Sequence, residues 1–569
     1  MSTPVACGIC GGVLELRYLG STGPPEPGDF APSCHRPRAW GDLYRCRECG
    51  TVQQPSLPGG DGLADLYRDM GDSDYLAEER GRRATANWLL DLVERRRAPG
   101  RMLEVGCGHG LLLDEARRRG WETLGLELSE RSASWARERL GLEVLEQPLE
   151  SLDPREDGTW DAVLMVDVLE HLEDPVAALD RCRALLAPGG VLCVVTPDPS
   201  SPTAGAAGQR WWGYLPAHTF LVPRKTLREL LSAGGLTLTD DIPFVRTFSA
   251  RYWVDGFAGI AGPASGILRS AAARIAPQHS LSLSLGDERV MLAVNTEVRL
   301  PDRPLASDRG TGDSVHVVLP AYHAAPTIAL VAGDLPVESF DRALLVDDAS
   351  TDETAETALA EGFEVLVHPA NRGYGANQKS CYTRALLDGA DVVVMVHADH
   401  QYDAGLVTEM VRPIIEGRAD AVMGSRLLED RAIAGGMPRW KWLGNRFLTS
   451  IENLAFNRDF SEYHTGYRAY STEFLRTIPF LRNSDGFVFD QEIFAQLVDR
   501  GARVVEIPIP TRYFLEASSV SFSASVRYGL ETLGVLARYR IDERRRRWSL
   551  LRRPATQKAR ARTGSGPVG

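Results

Sequence analysis

Twice along this chain a short apolar run gives way to glycine or polar residues and then to a helical pattern, and between the two series lies PDRPLASDRGTGDS, Pro301 to Ser314. That stretch mixes prolines, glycines and charges without periodicity, so residues 301–314 read as a linker between two α/β units. Strands alternating with helices build parallel sheets whose ligands gather beyond the carboxyl ends of the strands. The chain has 569 residues, room for about three to five units at roughly 100–200 residues each. Its 44% apolar and 25% charged residues suit a soluble globular protein, and no apolar run approaches the ~20 residues that a bilayer span needs. The opening MSTPVACGIC lacks a basic segment followed by an apolar stretch, so the expectation is a cytosolic protein. A net charge of −12 argues against a nucleic-acid partner, which would require a cationic surface.

Cysteine is concentrated at the start. Cys7-Gly-Ile-Cys10-Gly11 and Cys46-Arg-Glu-Cys49-Gly50 are two CxxCG knuckles, with Cys34 between them as a bystander. In a reducing compartment four such thiols read as a closed tetrahedral Zn²⁺ site in preference to a redox pair, and the glycines permit the tight turns that aim N–H groups at sulfur. Residues 1–60 are therefore expected to form a zinc ribbon and residues 61–98 a helical connector. The few arginines around the knuckles, Arg36, Arg38, Arg45 and Arg47, read as a solvated face.

The next motif is RMLEVGCGHGLLLDEARRRG, a buried strand, a loop with Gly106, Gly108 and Gly110, and a helix. Glu104 lies at the strand end, and one βαβ step later Glu127 closes WETLGLELS, where a carboxylate can hold both ribose hydroxyls. A third strand runs through WDAVLMVDVLEHL, carrying Asp167, Glu170 and His171; LLAPGGVLCVVTP reads as a turn and a fourth strand. The glycine spacing departs from GxGxxG, which disfavours a dinucleotide site. In this order, EVGCGHG, Glu127, DVLEHLEDP and LAPGG resemble the class I S-adenosylmethionine-dependent methyltransferases, with a Rossmann-like fold over residues 99–300. The resemblance implies that Glu104, Gly106, Gly108 and Gly110 surround the methionine part of S-adenosylmethionine, with Glu127 on the ribose and Asp167 at the same pocket. The segment WWGYLPAHTFLVPRKTLRELLSAGG resembles the region after the core in methyltransferases acting on sugars. His218 is then a candidate general base toward an acceptor hydroxyl, with a purely structural histidine as the alternative.

Beyond the linker, VHVVLPAY, RALLVDDASTD, EVLVHPANRGYGANQ and DVVVMVHADHQYD are four strand readings, each ending in polar residues before a helical pattern. In extended backbone His397, Asp399 and Gln401 would share one face and could meet one hard cation, Mg²⁺ or Mn²⁺. From 315 to 516 the series resembles family 2 glycosyltransferases of the GT-A fold, especially the dolichol- or polyprenyl-phosphate sugar synthases. LPAYHAAPT, LLVDDASTDET, NRGYGANQ, VHADHQ, GSRLL, EYHTGYRAYS, GFVFDQEI and EIPIPTRYF stand in the family's order. The resemblance implies a UDP- or GDP-hexose site at Pro320, Tyr322, Asp347, Asp348, Arg372 and Gly373, and metal ligation by Asp399 and Gln401. His397 stands where the family has the first acid of DxD. The resemblance further implies Arg426 on an acceptor phosphate, Asp490 as base for a hydroxyl acceptor, and His464 near the metal or leaving phosphate.

Residues 517–569 form an amphipathic basic segment and tail, with eleven basic to two acidic residues from Arg538 onward, suited to an anionic membrane surface. The expectation is a bifunctional enzyme of glycan or glycolipid assembly, peripheral to the membrane, methylating a sugar hydroxyl and passing a hexose to polyprenyl phosphate or a glycan. The rivals are a non-catalytic docking role for the first half and an RNA methyltransferase.

Overall fold

The computed structural model describes residues 6–20, 41–55, 75–154, 159–253, 280–306, 312–428, 439–510, 522–542, 548–552 and 554. Cys34, Arg36, Arg38 and most of the final tail lie outside them. The chain divides into two compact units, the first running to Asn295 and the second from Thr296 to Gln557. The break precedes the expected linker because Val298–Arg299 adds an antiparallel edge strand to Glu364–Val367 of the second unit.

In the first unit, strands Leu14–Tyr18, Leu43–Cys46 and Val52–Gln53 form an antiparallel ribbon that Phe220–Leu221 extends as a fourth strand. So small a sheet cannot bury a core alone. Leu43 and Val52 pack instead with Trp211, Tyr214 and Leu221.

The main sheet has seven strands in the order Leu236–Pro243, Glu288–Asn295, Leu186–Pro197, Trp160–Val166, Arg101–Val105, Glu122–Leu126, Val144–Leu145. The last five run parallel, and Glu288–Asn295 opposes both its neighbours. Rather than a turn, LAPGG is the start of the long strand Leu186–Pro197, with Gly189 at positive φ where the register against Trp160 shifts. Nor is the stretch before residue 99 only a connector: helix Glu79–Glu94 buries Ala86, Leu89, Leu90 and Val93 against Met102, Ala162 and Leu164.

The second unit holds an eight-stranded mixed sheet. Glu364–Val367, Arg342–Asp347, Val315–Ala321 and Val392–Met395 are parallel neighbours, as the apolar runs imply. Arg468–Ser471 then runs antiparallel between Val392–Met395 and Ala421–Ser425, which pairs in parallel with Val504–Pro508. Core clusters cover both faces. Helix Phe522–Ile541, expected as part of a separate basic tail, buries Thr532, Val535, Leu536 and Tyr539 in this unit and is one of its structural members.

The glycine turn of NRGYGANQ is fixed by close backbone approach. A Cβ on Gly375 would lie 2.4 Å from the Ser484 carbonyl oxygen and 2.7 Å from that of Gly486. Backbone cannot yield as a side chain does, so Gly375→Ala is expected to cost about 1–3 kcal/mol and to lower the thermal midpoint of the second unit's transition in calorimetry; an unchanged midpoint would refute this close approach.

Candidate active sites

Strand Arg101–Val105 ends in Gly106, Gly108 and Gly110, with φ of 68°, 54° and 72°. A Cβ on Gly106 would sit 2.7 Å from Val168 Cγ2, so packing as well as conformation demands glycine there. Glu127, directly after strand Glu122–Leu126, accepts the Gly108 N–H at 2.7 Å and the Ser129 N–H at 2.8 Å. Burial pushes its carboxyl up and these N–H groups pull it back. Glu104 lies deeper. Its Oε2 is buried without a hydrogen-bond partner, and burial, reinforced by the charge of Glu127, holds its carboxyl well above the usual glutamate range. A buried acceptor with no donor suits a ligand that brings an amino group. These residues therefore fit the methionine end of S-adenosylmethionine.

Two neighbours of this pocket carried no signal in the sequence. The Tyr75 ring stacks on His109 with centroids 4.8 Å apart, and its hydroxyl comes within 3.8 Å of a Cβ built on Gly108. Arg246, half-buried, donates to both carboxylate oxygens of Asp167 at 2.8 Å and also pairs with Glu288. The carboxylate of Asp167, implied to face the donor, is thus engaged by Arg246. Burial, only partly offset by Arg246, pushes the Glu288 carboxyl up to about 7.

His218 is buried, with Nδ1 2.7 Å from the Gly213 carbonyl oxygen. His171 stands edge-on to it, ring centroids 4.8 Å apart, with Nδ1 3.1 Å from the Ala217 carbonyl oxygen. Burial lowers His218 to about 3, aided by neighbouring His171, and His171 to about 4. Both rings are neutral at physiological pH and keep a lone pair. Glu170 beside them is buried and accepts the Thr196 hydroxyl at 2.9 Å.

The four thiols of the knuckles meet. Cys7 Sγ is 3.7 Å from Cys49 Sγ, Cys10 Sγ is 3.5 Å from Cys46 Sγ, and all four lie within 4.8 Å of one another. A zinc tetrahedron with Zn–S of about 2.3 Å has edges of about 3.8 Å, so the donors fit Zn²⁺. Amide donors steady the sulfurs: Gln53 Nε2 reaches Cys7 Sγ at 2.8 Å and the Glu48 N–H reaches Cys46 Sγ at 3.3 Å. The ribbon also grips the His218 segment. Gln54 Nε2 donates to the carbonyls of Pro216 and His218 at 2.8 and 3.3 Å, and Thr226 Oγ1 donates to the Cys49 carbonyl at 2.6 Å.

In the second unit Asp347 and Asp348 end strand Arg342–Asp347 together but act differently. Asp347 is held by the Ser350 hydroxyl and N–H, and burial raises its carboxyl. Asp348 accepts the N–H groups of Arg372 and Gly373 at 2.9 and 2.8 Å and lies 2.7 Å from His368 Nδ1, so it holds the glycine turn. Pro320 lies in strand Val315–Ala321, and Tyr322 beyond it is 54% exposed with its ring stacked on His323.

His397, Asp399 and Gln401 do not share one strand face, contrary to the expected alternation. Their strand stops at Met395, residues 398–399 turn, and His400 takes φ of 57° with its ring 2.9 Å from Asp334. His397 instead packs between Tyr374 and Tyr402, with Nε2 3.0 Å from the Tyr374 hydroxyl. Asp399 is half-buried and accepts the Gln401 N–H at 3.1 Å. Mg²⁺ is commonly held by one or two carboxylates plus substrate phosphates, and Asp399 fits that sparse arrangement.

Asp490 is in reach of the same cluster: Tyr374 OH donates to it at 3.2 Å, Gln378 Nε2 at 3.1 Å, and the buried Arg468 guanidinium is 3.3 Å away. Arg426, buried, pairs through its side chain and its backbone N–H with the fully buried Glu462, which Asn445 also reaches. His464 is not among the strand ends. Its ring lies 3.1 Å from Glu452 and 3.2 Å from both the Tyr528 hydroxyl and Gln491 Nε2, side chains of three helices.

Against known families, residues 76–240 match the methyltransferase domain and residues 316–478 match glycosyl transferase family 2. The chain joins a methyltransferase domain to a family 2 glycosyltransferase domain. Glycosyltransferase AglJ of Haloferax volcanii is 32% identical over 206 residues, 36% of this chain and 64% of AglJ, so the chain spans less than two thirds of that relative. Uncharacterized protein MJ1222 of Methanocaldococcus jannaschii is 30% identical over 201 residues, 35% of this chain and 82% of that protein. A ubiquinone biosynthesis O-methyltransferase of Acinetobacter baumannii is 27% identical over 169 residues, 27% of this chain and 71% of the enzyme.

The raised carboxyl of Glu104 gives the methyltransferase domain a pH signature. The unfolded chain releases that proton near the ordinary glutamate value of about 4.3, the folded chain only at higher pH, so stability falls as pH rises above that point. Glu104→Gln is expected to flatten this slope, raising the domain's thermal midpoint at pH 8 while weakening S-adenosylmethionine binding in calorimetry. A variant that melts no higher than the native protein at pH 8 would contradict the assignment.

Proposed function

We propose that the chain catalyses two transfers in glycan or glycolipid assembly: methylation of a sugar hydroxyl from S-adenosylmethionine, and inverting transfer of a hexose from a nucleotide sugar to a polyprenyl phosphate. The observation that carries this reading is that each domain has its own glycine turn at the carboxyl ends of parallel strands, held by a strand-end carboxylate. In the methyltransferase domain Glu104 and Glu127 hold the donor, and the proton of the acceptor hydroxyl is dealt with at His218.

In the glycosyltransferase domain the exposed ring of Tyr322 offers a face for the base, and Asp347 lies at the ribose. Asp399 would hold a divalent cation, which would supply positive charge for the departing nucleoside diphosphate. The anomeric carbon–oxygen bond to the diphosphate breaks as an oxygen of the acceptor phosphate bonds to that carbon from the opposite face. A phosphate acceptor is already anionic and requires no proton removal. The hydrogen bonds from Tyr374 and Gln378 then keep Asp490 in place beside the reacting centre. Arg426, aligned by Glu462, supplies cationic charge on the acceptor side.

A lipid acceptor is favoured by the outer faces of two helices of this domain. Leu443, Phe447 and Leu454 on helix Arg439–Phe456 are 62–76% exposed, as are Leu530 and Ile541 on helix Phe522–Ile541 at 65% and 79%. Exposed arginines, Arg446, Arg538 and Arg540, accompany them. Apolar side chains bordered by arginine suit the surface of an anionic bilayer. Among the described residues no helix is long and apolar enough to cross a membrane.

Asp399→Ala is expected to abolish both sugar transfer and nucleotide-sugar hydrolysis, with unchanged S-adenosylmethionine binding. Retention of either glycosyltransferase activity would remove the metal assignment, and a silent S-adenosylmethionine titration of the native protein would remove the methylation half. Flotation with vesicles containing phosphatidylglycerol is expected to carry the native chain but only a small fraction of a Phe447→Ser/Leu454→Ser variant. Equal flotation of the two proteins would shift the acceptor toward a free glycan.

A further inference from the structure

Within the methyltransferase domain a cluster of side chains stands apart from the donor loop. Glu170, His171 and His218 each offer a ligand atom, and these atoms lie within 4.8 Å of one another. Both rings are oriented in the same way, each Nδ1 facing a backbone carbonyl, that of Gly213 at 2.7 Å and that of Ala217 at 3.1 Å. A carbonyl oxygen only accepts, so each Nδ1 carries the proton and each Nε2 is the basic nitrogen. His218 is 5% exposed, and its Nε2 is taken by no donor among the described residues. Glu170 is 1% exposed and is steadied by the Thr196 hydroxyl at 2.9 Å.

These second contacts are the ones that metal-ligating histidines and carboxylates usually have: ring N–H groups on carbonyls, and a carboxylate fixed by a hydrogen bond. Two imidazoles and one carboxylate are a ligand set for a transition-metal dication with positions left open. The ligands come from distant stretches of chain, yet both are anchored. Glu170 and His171 form the turn after strand Trp160–Val166, and the Glu170 carbonyl accepts the Thr219 N–H at 2.8 Å. The carbonyl of His218 is held by Gln54 of the ribbon. Val168, two residues before Glu170, touches the donor loop at Gly106.

We propose that Glu170, His171 and His218 bind a divalent transition-metal ion, separate from the four-thiolate zinc, whose open positions receive the acceptor hydroxyl. The role of the ion rests on the methylation reading; its binding does not. His218 would then serve as a ligand in place of the base proposed above: the bound hydroxyl would give its proton to water, its oxygen would bond to the methyl carbon, and the carbon–sulfur bond would break with its electron pair on sulfur, leaving S-adenosylhomocysteine.

The test uses the full-length, zinc-loaded Asp399→Ala protein, in which the cation position of the other domain is removed, titrated with Co²⁺ and followed by visible absorption. One equivalent is expected, with the weak ligand-field bands of a nitrogen and oxygen site and without the intense bands of a cobalt thiolate. In the same background His171→Ala/His218→Ala should lose that equivalent. Thr196→Val, which keeps all three ligands, should bind it about 10–100-fold more weakly. Absence of uptake by the Asp399→Ala protein overturns the proposal, as does unchanged affinity in Thr196→Val; the latter decides the matter even where the double variant fails to fold. Calorimetry with S-adenosylmethionine separates the two ideas. Cobalt uptake with no donor binding would leave the site standing and end the methylation reading, whereas donor binding without cobalt uptake would do the reverse.

Discussion

One interaction recurs in both units and sets the geometry around it: a carboxylate at the end of a parallel strand accepts backbone N–H groups from the glycine turn that follows the neighbouring strand. In the methyltransferase domain Glu127 takes the N–H of Gly108; in the glycosyltransferase domain Asp348 takes those of Arg372 and Gly373. Adjacent parallel strands end at the same level, so a side chain one residue past one strand reaches the loop leaving the next. A charge-assisted bond to backbone is among the stronger hydrogen bonds a side chain makes. It fixes the turn in a conformation that already presents N–H groups and open space to a ligand, so little ordering remains to be done on binding.

The glycosyltransferase domain extends this principle to its side chains. Arg426 with Glu462, and Arg468 with Asp490, are buried pairs; Arg426 also donates to the His464 carbonyl, and Arg468 to those of Thr465 and Tyr463. Such pairs seldom add much net stability, because desolvation offsets the attraction, but removing one partner leaves an uncompensated charge. Their value here is positional. The Tyr374 hydroxyl bridges His397 and Asp490, so the departure from DxD at His397 is tied by one phenol to the carboxylate on the facing helix.

The strands were legible because buried parallel strands are continuous apolar runs, and the glycine turns because their motifs stand in a fixed order after those runs. What the sequence did not reveal was set by contacts across long separations. Arg246 meets Asp167, and Tyr75 meets His109, through tertiary packing that leaves no local pattern. The extended reading of HADHQ failed because the strand ends early and His400 turns toward Asp334, and two-residue alternation holds only inside a strand. His464 was assigned from its motif alone. Its ring turned out to serve helix packing, since Tyr528 on the last long helix and Glu452 on another close around it. The amphipathic pattern of that last helix was visible in its sequence, but a pattern of this kind does not say whether membrane or protein covers the apolar side, and here Val535, Leu536 and Tyr539 are covered by protein.

The zinc ribbon gains its meaning from what it touches. Four sulfurs that converge within 4.8 Å of one another bring together the two knuckles, separated by 35 residues in sequence, and a Zn²⁺ held by them would make the pair rigid. That unit pairs a strand edge with Phe220–Leu221, donates an amide to the carbonyls of Pro216 and His218, and accepts the Thr226 hydroxyl at the Cys49 carbonyl. A segment of loop carrying a buried histidine would otherwise depend on a few local turns, and loops of that kind open at little cost. By pairing with both flanks of His218 the ribbon braces an imidazole that it never contacts through sulfur. The four-cysteine cluster at the amino end and the segment that carries His218 are therefore parts of one mechanical unit.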